Sequence, residues 1–165
     1  MEKNIEQLPE IKLVGITART SNVLEMDPST AKIGATIYRF DQDGLQAKIL
    51  NRKTPGKIFA VYTNYESDEN GPYTYFLGEE VTFFENIAPG FETLIIPAQA
   101  YAKFTSNSGK VQEISIGMWQ NIWQMGAAEL GGKRTYIADF EIYDERCKDL
   151  NNAIIDIYVG IEQCM

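Results

Sequence analysis

The sequence has 165 residues, 44% of them hydrophobic, and carries a net charge of −8 from 23 acidic and 15 basic residues. This length and composition predict one globular domain with a sizeable core, and the acidic charge argues against direct binding of nucleic acid, which requires a basic face. Histidine is absent, which excludes Ser-His-Asp hydrolysis, a histidine general base and a histidine-ligated haem.

The chain also lacks the marks of a secreted or membrane protein. Residues 1–6 contain no apolar stretch, and no segment approaches the roughly 18 apolar residues that a membrane span requires. Cys147 and Cys164 are too few for a disulfide framework and have no metal-binding spacing. We therefore expect a cytoplasmic protein that uses no metal and no cofactor and makes no contact with a membrane.

The first half of the chain predicts the order strand, helix, strand, strand. The predicted elements are a strand at 11–20, a helix from about 27 to 44, and strands at 57–65 and 73–83. Asp27-Pro28-Ser29 has the composition of a helix start. Ile33, Ile37 and Phe40 then follow at the spacing of one helical face.

The second half repeats this order about 80 residues later. Its predicted elements are a strand at 91–105, a helix at 111–130 and strands at 135–144 and 153–162. Tyr73–Glu80 is matched by Ile155–Glu162, so that Gly78 corresponds to Gly160. Two copies with so long a period do not make a solenoid. We predict an α+β fold from a duplicated βαββ unit, with two helices on one side of an antiparallel sheet and a ligand channel between pseudo-symmetric halves at about 8–87 and 91–163.

The second helix carries two tryptophans beside its core stripe. Residues at core spacing are Val111, Ile114, Met118, Ile122 and Met125. Trp119 and Trp123 lie one turn apart and off the centre of that stripe, and Tyr38 has the matching place in the first helix. The two rings either widen the buried face or form a stacked aromatic wall along a groove or interface, suited to a flat apolar ligand.

Glu141 lies in a strand of alternating residues. We expect the face of Tyr136, Ala138, Phe140 and Ile142 to meet the helices. Glu141 would then lie on the opposite face with Tyr143, either simply solvated or with a special role. The segment Thr63-Asn64-Tyr65-Glu66 corresponds to Glu141-Ile142-Tyr143-Asp144, so only one half supplies an acid and a groove between the halves would hold one carboxylate.

Tyrosines are dense around these segments. Tyr62, Tyr65, Tyr73, Tyr75, Tyr101, Tyr136, Tyr143 and Tyr158 all fall in or beside predicted strands. Tyrosine favours strands in general, but its ring also offers a π face to a cation.

The order and spacing of four segments resemble a known family. Residues 91–108, the Trp119-x-x-x-Trp123 helix, Phe140-Glu141-Ile142-Tyr143 and Ile157-Tyr158-Val159-Gly160 are similar to the gyrase-inhibitor-like effector-binding domain of AraC-type and multidrug-sensing transcription regulators. The resemblance implies a module that binds amphipathic cationic drugs and dyes with aromatic rings and a glutamate. Regulators of this class carry a helix-turn-helix region for which this chain has no room, so the chain is similar to stand-alone modules, including those of integron cassettes.

The resemblance assigns the site residues. It places the glutamate at Glu141, its neighbouring tyrosine at Tyr143 and the helix aromatics at Trp119 and Trp123. The opposite wall would come from the first half, from Tyr75 and Phe76 together with Tyr38 and Tyr62.

The function expected from this resemblance is non-enzymatic binding of a hydrophobic cation, by a stand-alone sensor or sequestering module. One alternative is a small hydrolase in which Glu141 acts as general base on electrophilic compounds. The other is a protein-interaction module whose partner is a regulator or gyrase.

Overall fold

The computed structural model describes residues 1–163, so Cys164 lies outside the described part of the chain. The nine strands are β1 (Glu2–Leu8), β2 (Ile11–Thr20), β3 (Ile58–Thr63), β4 (Tyr73–Glu80), β5 (Glu92–Ile96), β6 (Gln99–Thr105), β7 (Lys133–Arg134), β8 (Ala138–Tyr143) and β9 (Asp156–Glu162). The α-helices are α1 (Asn22–Glu25), α2 (Ile33–Gln42), α3 (Val111–Trp123) and α4 (Ala127–Leu130), and single 3-10 turns lie at Leu45–Lys48 and Glu145–Cys147. Within residues 1–163, no helix is long and apolar enough to cross a membrane.

All strands join one antiparallel sheet in the order β1-β6-β9-β8-β3-β4-β2-β5, with β7 paired to the end of β9. The repeat predicted from the sequence is present as β2-α2-β3-β4 and β6-α3-β8-β9. The predicted α+β fold with its duplicated βαββ unit is therefore confirmed. The halves meet where β3 pairs with β8 at the centre of the sheet, which places Ala60 opposite Glu141.

Both faces of the sheet are buried over its central strands, β4, β3, β8 and β9. On one face α3 packs over β6 and β9 through Met118 and Ile122, while α2 packs over β2 and β4 through Phe40. The other face carries a third cluster that includes Phe140 and Ile142 and draws residues from both halves. The expectation that the Phe140 face meets the helices is wrong, because Glu141 and not Phe140 faces α3.

The start of the first long helix differs from the prediction. The Asp27 side chain accepts hydrogen bonds from the backbone N–H and the hydroxyl of Ser29, which forms a local turn instead of a helix. Helix α2 begins at Ile33, and the Glu25 carboxylate accepts the N–H groups of Lys32 and Ile33 at 2.9 and 3.2 Å. A side chain from the preceding helix thus caps α2, a contact that local composition does not predict.

Two predicted elements are interrupted and two strands were not predicted. Strand 91–105 is split at Pro97, which has no N–H for a ladder, and helix 111–130 is split before Gly126, whose backbone N–H binds the Glu129 side chain at the start of α4. Strand β1 is mostly exposed on both faces, so it has no apolar alternation that would reveal it. Strand β7, at Lys133–Arg134, is too short for any pattern.

Candidate functional site

Glu141 is a buried carboxylate held by four hydrogen bonds. It lies in the middle of β8 and is 3% exposed. Its Oε1 accepts the Trp119 indole N–H and the Ser115 hydroxyl, both at 2.9 Å, and the Tyr62 hydroxyl at 3.4 Å. Its Oε2 accepts the Tyr143 hydroxyl at 2.9 Å. All four donors are neutral, so they stabilise the charge without neutralising it.

Three elements position these donors. Ser115 and Trp119 lie four residues apart on α3 and therefore point to the same side of the helix. Tyr143 is two residues beyond Glu141 in β8, on the same face of the sheet, while Tyr62 comes from β3 of the first half. The carboxylate is thus bound from both halves of the repeat, across the strand pair that joins them.

Burial raises the pKa of Glu141 above its ordinary value, and the hydrogen bonds from Trp119, Ser115, Tyr143 and Tyr62 oppose that rise. The same burial, followed by the charge of Glu141, raises the pKa of Tyr62 and Tyr143 well above the usual value. The tyrosines therefore stay protonated at neutral pH and act as donors.

Glu141 differs from the other buried acids of the described residues because it has no basic partner. The described residues include four buried acids, and three of them have an arginine partner. Those pairs are Glu79 with Arg52 at 3.3 Å, Asp139 with Arg134 at 2.6 Å and Asp156 with Arg146 at 2.7 Å. Among residues 1–163, no lysine or arginine pairs with Glu141. A buried charge without a counter-ion is costly, which marks this position as a candidate for cation binding.

Aromatic rings surround the carboxylate. The ring of Tyr62 packs edge-on against Tyr73, Tyr75 and Trp119, at centroid distances of 5.4, 5.6 and 5.3 Å. Trp119 in turn stacks on Trp123 at 6.3 Å, and Trp123 is 41% exposed. The indole pair extends from the buried carboxylate toward solvent, and its π faces suit a cation.

The structure brings most of the predicted site residues together. Trp119, Tyr143 and Tyr62 bind Glu141 directly, Tyr75 packs on Tyr62, and Trp123 packs on Trp119.

Two predicted residues lie elsewhere. Phe76 belongs to the cluster on the opposite face of the sheet, because neighbouring residues of a strand alternate between faces, and it is therefore removed from the site. Tyr38 is 68% exposed on α2, and no hydrogen bond or ring contact joins it to these groups in the described residues.

The predicted counterpart of Glu141 in the first half is also corrected. Thr63 pairs with Ala138 and lies on the face away from the helices, where it donates to the Ile137 carbonyl. Tyr62 lies opposite Tyr75, three residues before Gly78, as Glu141 lies opposite Ile157, three residues before Gly160. The residue equivalent to Glu141 is therefore Tyr62.

Ser115 was not predicted. A serine within a helix is common and carries no signal of its own; only its place one turn before Trp119 could have pointed to it.

A second buried network ties the halves together beside the site. Asp139, on the same strand face as Glu141, binds Arg134 and accepts the Tyr65 hydroxyl at 2.7 Å and the Gly160 N–H at 2.8 Å. Arg134 also contacts Glu69 at 3.5 Å. Every charge in this network has a partner, so the network offers no free charge to a ligand. We interpret it as a structural link between the β3–β4 loop and β8.

The carboxylate is enclosed in this structure. Two surface cavities, of about 380 and 530 Å³, are lined respectively by residues near the end of α2, such as Phe40, and by residues beside β7, such as Arg134. Neither is lined by Glu141. A ligand that contacts the carboxylate must therefore displace some of the surrounding rings.

A family profile and a relative from another organism each match nearly the whole chain. The profile of a family described as "Integron-associated effector binding protein" matches residues 4–161. The putative transcriptional regulator protein YobU of Bacillus subtilis (strain 168) is 35% identical over 163 residues, covering 97% of this chain and 98% of YobU.

Two solved structures share the fold. The integron cassette protein VCH_CASS2, from the mobile metagenome of Vibrio cholerae, has a TM-score of 0.75 and 26% identity, over 97% of this chain and 95% of that one. SAV2435, solved bound to tetraphenylphosphonium, has a TM-score of 0.76 and 19% identity, over 98% and 94% of the two chains.

Proposed function

The chain belongs to the family of integron-associated effector binding proteins, and from that membership we propose that it binds amphipathic cationic small molecules, with Glu141 as the counter-ion. The observation that carries the proposal is the buried carboxylate without a basic partner, enclosed by Trp119, Tyr62 and Tyr143. A cation placed there would supply the missing charge in a low-dielectric surrounding. The ligand reported for SAV2435, an aromatic cation, is of this chemical class.

The rings add a second source of affinity. A cation over a tryptophan or tyrosine face gains about 0.5–2 kcal/mol per good contact. Trp123 is the exposed member of the stacked pair, so we propose that a ligand enters past its ring and reaches the carboxylate by displacing Tyr62 or Trp119. The protein would then act as a cytoplasmic sensor or sequestering module. As a sensor it would act through a protein partner, a regulator or gyrase.

The hydrolase alternative fits this geometry less well. A general base needs a free lone pair within reach of the proton it removes. Glu141 already accepts four hydrogen bonds and is 3% exposed, so a substrate proton could reach its remaining lone pair, on Oε2, only after the surrounding rings had moved. We therefore propose a binding role without catalysis.

A titration with two ions of the same shape tests the proposal. Tetraphenylphosphonium and tetraphenylborate differ mainly in the sign of their charge. We expect the phosphonium to quench tryptophan fluorescence with a Kd in the micromolar range, about 8 kcal/mol of binding free energy, and the borate to bind at least tenfold more weakly. Equal affinity for the two ions, or no binding of the phosphonium, would contradict the role of Glu141 as counter-ion.

A further inference from the structure

A second carboxylate without a basic partner belongs to the first half of the chain. Glu25 is half-buried at the end of α1 and accepts the Thr20 hydroxyl and the backbone N–H groups of Lys32 and Ile33. In the described part of the chain, no lysine or arginine side chain pairs with it. The Lys32 ammonium group donates to a backbone carbonyl instead. Neutral donors thus stabilise the charge of Glu25 without neutralising it, as they do at Glu141.

Tyr73 connects Glu25 to the aromatic rings around Glu141. Thr20, which binds Glu25, pairs with Tyr73 between β2 and β4, so both side chains lie on the same face of the sheet. The Tyr73 ring packs edge-on against Tyr62, whose hydroxyl donates to Glu141. Burial raises the pKa of Tyr73, and the charges of Glu25 and Glu141 raise it further. The two acids therefore lie on either side of one group of tyrosines.

The strand register gives the separation of the two acids. One row across β8, β3, β4 and β2 is formed by Glu141, Ala60, Leu77 and Ile16. Thr20 lies four residues beyond Ile16 along β2. With strands about 4.8 Å apart and about 3.3 Å per residue, the Cα atoms of Glu141 and Thr20 are roughly 20 Å apart. A small cation cannot contact both carboxylates, whereas an elongated ion with a charge at each end can.

The segment that carries Glu25 has no counterpart in the second half. Twelve residues, 21–32, separate β2 from α2, whereas five residues, 106–110, separate β6 from α3. Two apolar side chains close to Glu25 in this segment, Val23 and Met26, are 69% and 85% exposed. Exposed apolar groups next to a carboxylate suit the end of an amphipathic cation.

We infer that the site takes elongated dications, with one cationic group at Glu141 and the other at Glu25. This inference rests on the proposed function and narrows its ligand class. The segment between the two charges would pass over Tyr62 and Tyr65, which are both partly exposed. The second charge would stay near the surface, where its desolvation is limited and the Glu25 carboxylate offsets it. A monocation of the same length would place an apolar end at Glu25 and gain nothing from that carboxylate.

The test compares decamethonium, a ten-carbon chain with a trimethylammonium group at each end, with decyltrimethylammonium, which has that group at one end. Isothermal titration calorimetry at low ionic strength, where screening is weak, gives the ratio of their affinities. The two equivalent ends of decamethonium alone raise its affinity about twofold. We expect the wild type to bind decamethonium at least fivefold more tightly. Glu25→Gln should lower this ratio to about twofold or less, while its amide oxygen can still accept the N–H groups that cap α2.

A matched variant and a shorter pair of probes complete the design. Glu66→Gln removes an exposed acid of the β3–β4 loop and the same formal charge, so it should keep the wild-type ratio. In the wild type, hexamethonium should gain less over hexyltrimethylammonium than decamethonium gains over its monocation, because the shorter ion spans less of the distance between the acids. This comparison needs no variant and is unaffected by any loss of the α2 cap.

The outcomes separate this inference from the proposed function. If the wild type binds decamethonium no more than about twofold more tightly than decyltrimethylammonium, the dication inference is wrong. It is also wrong if Glu25→Gln keeps the wild-type ratio or if hexamethonium gains as much as decamethonium. In each of these cases, binding of tetraphenylphosphonium would still support the proposed function. If neither tetraphenylphosphonium nor any of these probes binds, the proposed function fails, and this inference with it.

Discussion

The indole N–H of Trp119 donates to Oε1 of Glu141 at 2.9 Å, which joins the core of α3 to the charge in the centre of the sheet. Trp119 is 7% exposed and packs with Met118 and Ile122, so the same ring both fills the core and binds the carboxylate. Of the two roles that the sequence left open for this ring, widening the buried face is the one that the burial of Trp119 supports. Its two roles can be separated by comparing it with Trp123, which stacks on Trp119 but is partly exposed to solvent.

Trp119→Ala is expected to destabilise the protein by about 3–5 kcal/mol, the usual cost of removing a large buried aromatic side chain. Trp123→Ala should cost less than about 1 kcal/mol, because its ring is 41% exposed, yet it should weaken cation binding. Urea unfolding and tetraphenylphosphonium titration of both variants measure the two effects. A large stability loss in Trp123→Ala with unchanged binding would show that Trp123 is structural and not part of the site.

Glu141→Gln removes the charge and keeps the shape. The amide oxygen can accept from Trp119 and Ser115, and the amide nitrogen can donate to the hydroxyl of Tyr143, so the fold should be retained. Cation affinity should fall by about 1–3 kcal/mol, the range for a contact with a charged group, or roughly 5–150-fold.

The matched control is Glu113→Gln, which removes an acid of α3 whose side chain is 74% exposed. Its tetraphenylphosphonium affinity should equal that of the wild type. Asp139→Asn is unsuitable as a control, because Asp139 is buried and paired with Arg134. Wild-type affinity in Glu141→Gln would mean that the carboxylate has no part in binding.

The stability of the wild type should respond to pH in a way that Glu141→Gln does not. Burial raises the pKa of Glu141 in the folded protein above the ordinary value of about 4.3 that it regains on unfolding. Between these two values the folded state binds the proton and the unfolded state does not, so the free energy of unfolding falls as pH rises. Urea unfolding of both proteins across this window should show the wild type losing stability relative to Glu141→Gln with increasing pH. A difference that is constant, or that rises with pH, would contradict the raised pKa.

Removing the single donor to Oε2 should alter the pH dependence of binding. The Tyr143 hydroxyl lowers the pKa of Glu141 and so opposes the effect of burial. In Tyr143→Phe the pKa of Glu141 should rise further. Because only the ionised carboxylate attracts a cation, tetraphenylphosphonium affinity should decline at a higher pH on acidification than in the wild type. Superimposable pH profiles would show that this hydrogen bond does not tune the carboxylate.

Arg134→Met tests the second buried network. The substitution leaves Asp139 buried without its partner, which typically costs about 3–5 kcal/mol. Lys133→Met, at the neighbouring exposed position, should change the free energy of unfolding by less than about 0.5 kcal/mol. Equal thermal stability of the two variants would show that the link between the β3–β4 loop and β8 contributes nothing.

The sequence predicts the order of the elements but not which face of the sheet carries the helices. Helical spacing in α3 and the β-branched strands are local signals. They locate α3 and place five strands near their true bounds, namely β2, β3, β4, β8 and β9. Strand β8 is buried on both faces, so its alternation cannot say whether Phe140 or Glu141 meets α3.

The donors of the site depend on pairing between distant segments. When the alignment of the two halves is off by one residue, the counterpart of Glu141 becomes Thr63 instead of Tyr62, and its side chain lies on the other face of the sheet. Only the pairing of β3 with β8 and β4 fixes that register. Ser115 is identified as a donor only by the packing of α3 on β8.

The equivalence of Tyr62 and Glu141 also constrains how the two halves can have diverged. Two identical halves related by the same pseudo-symmetry would present either two tyrosines or two carboxylates in contact across the β3–β8 pair. Two buried carboxylates in contact cannot both stay ionised, so one would hold a proton and the pair would carry a single charge. A tyrosine in one copy replaces this repulsion with a hydrogen bond to the carboxylate of the other copy. A symmetric assembly of one half would present the same residue twice, so the single carboxylate of the site depends on two halves that differ at this position.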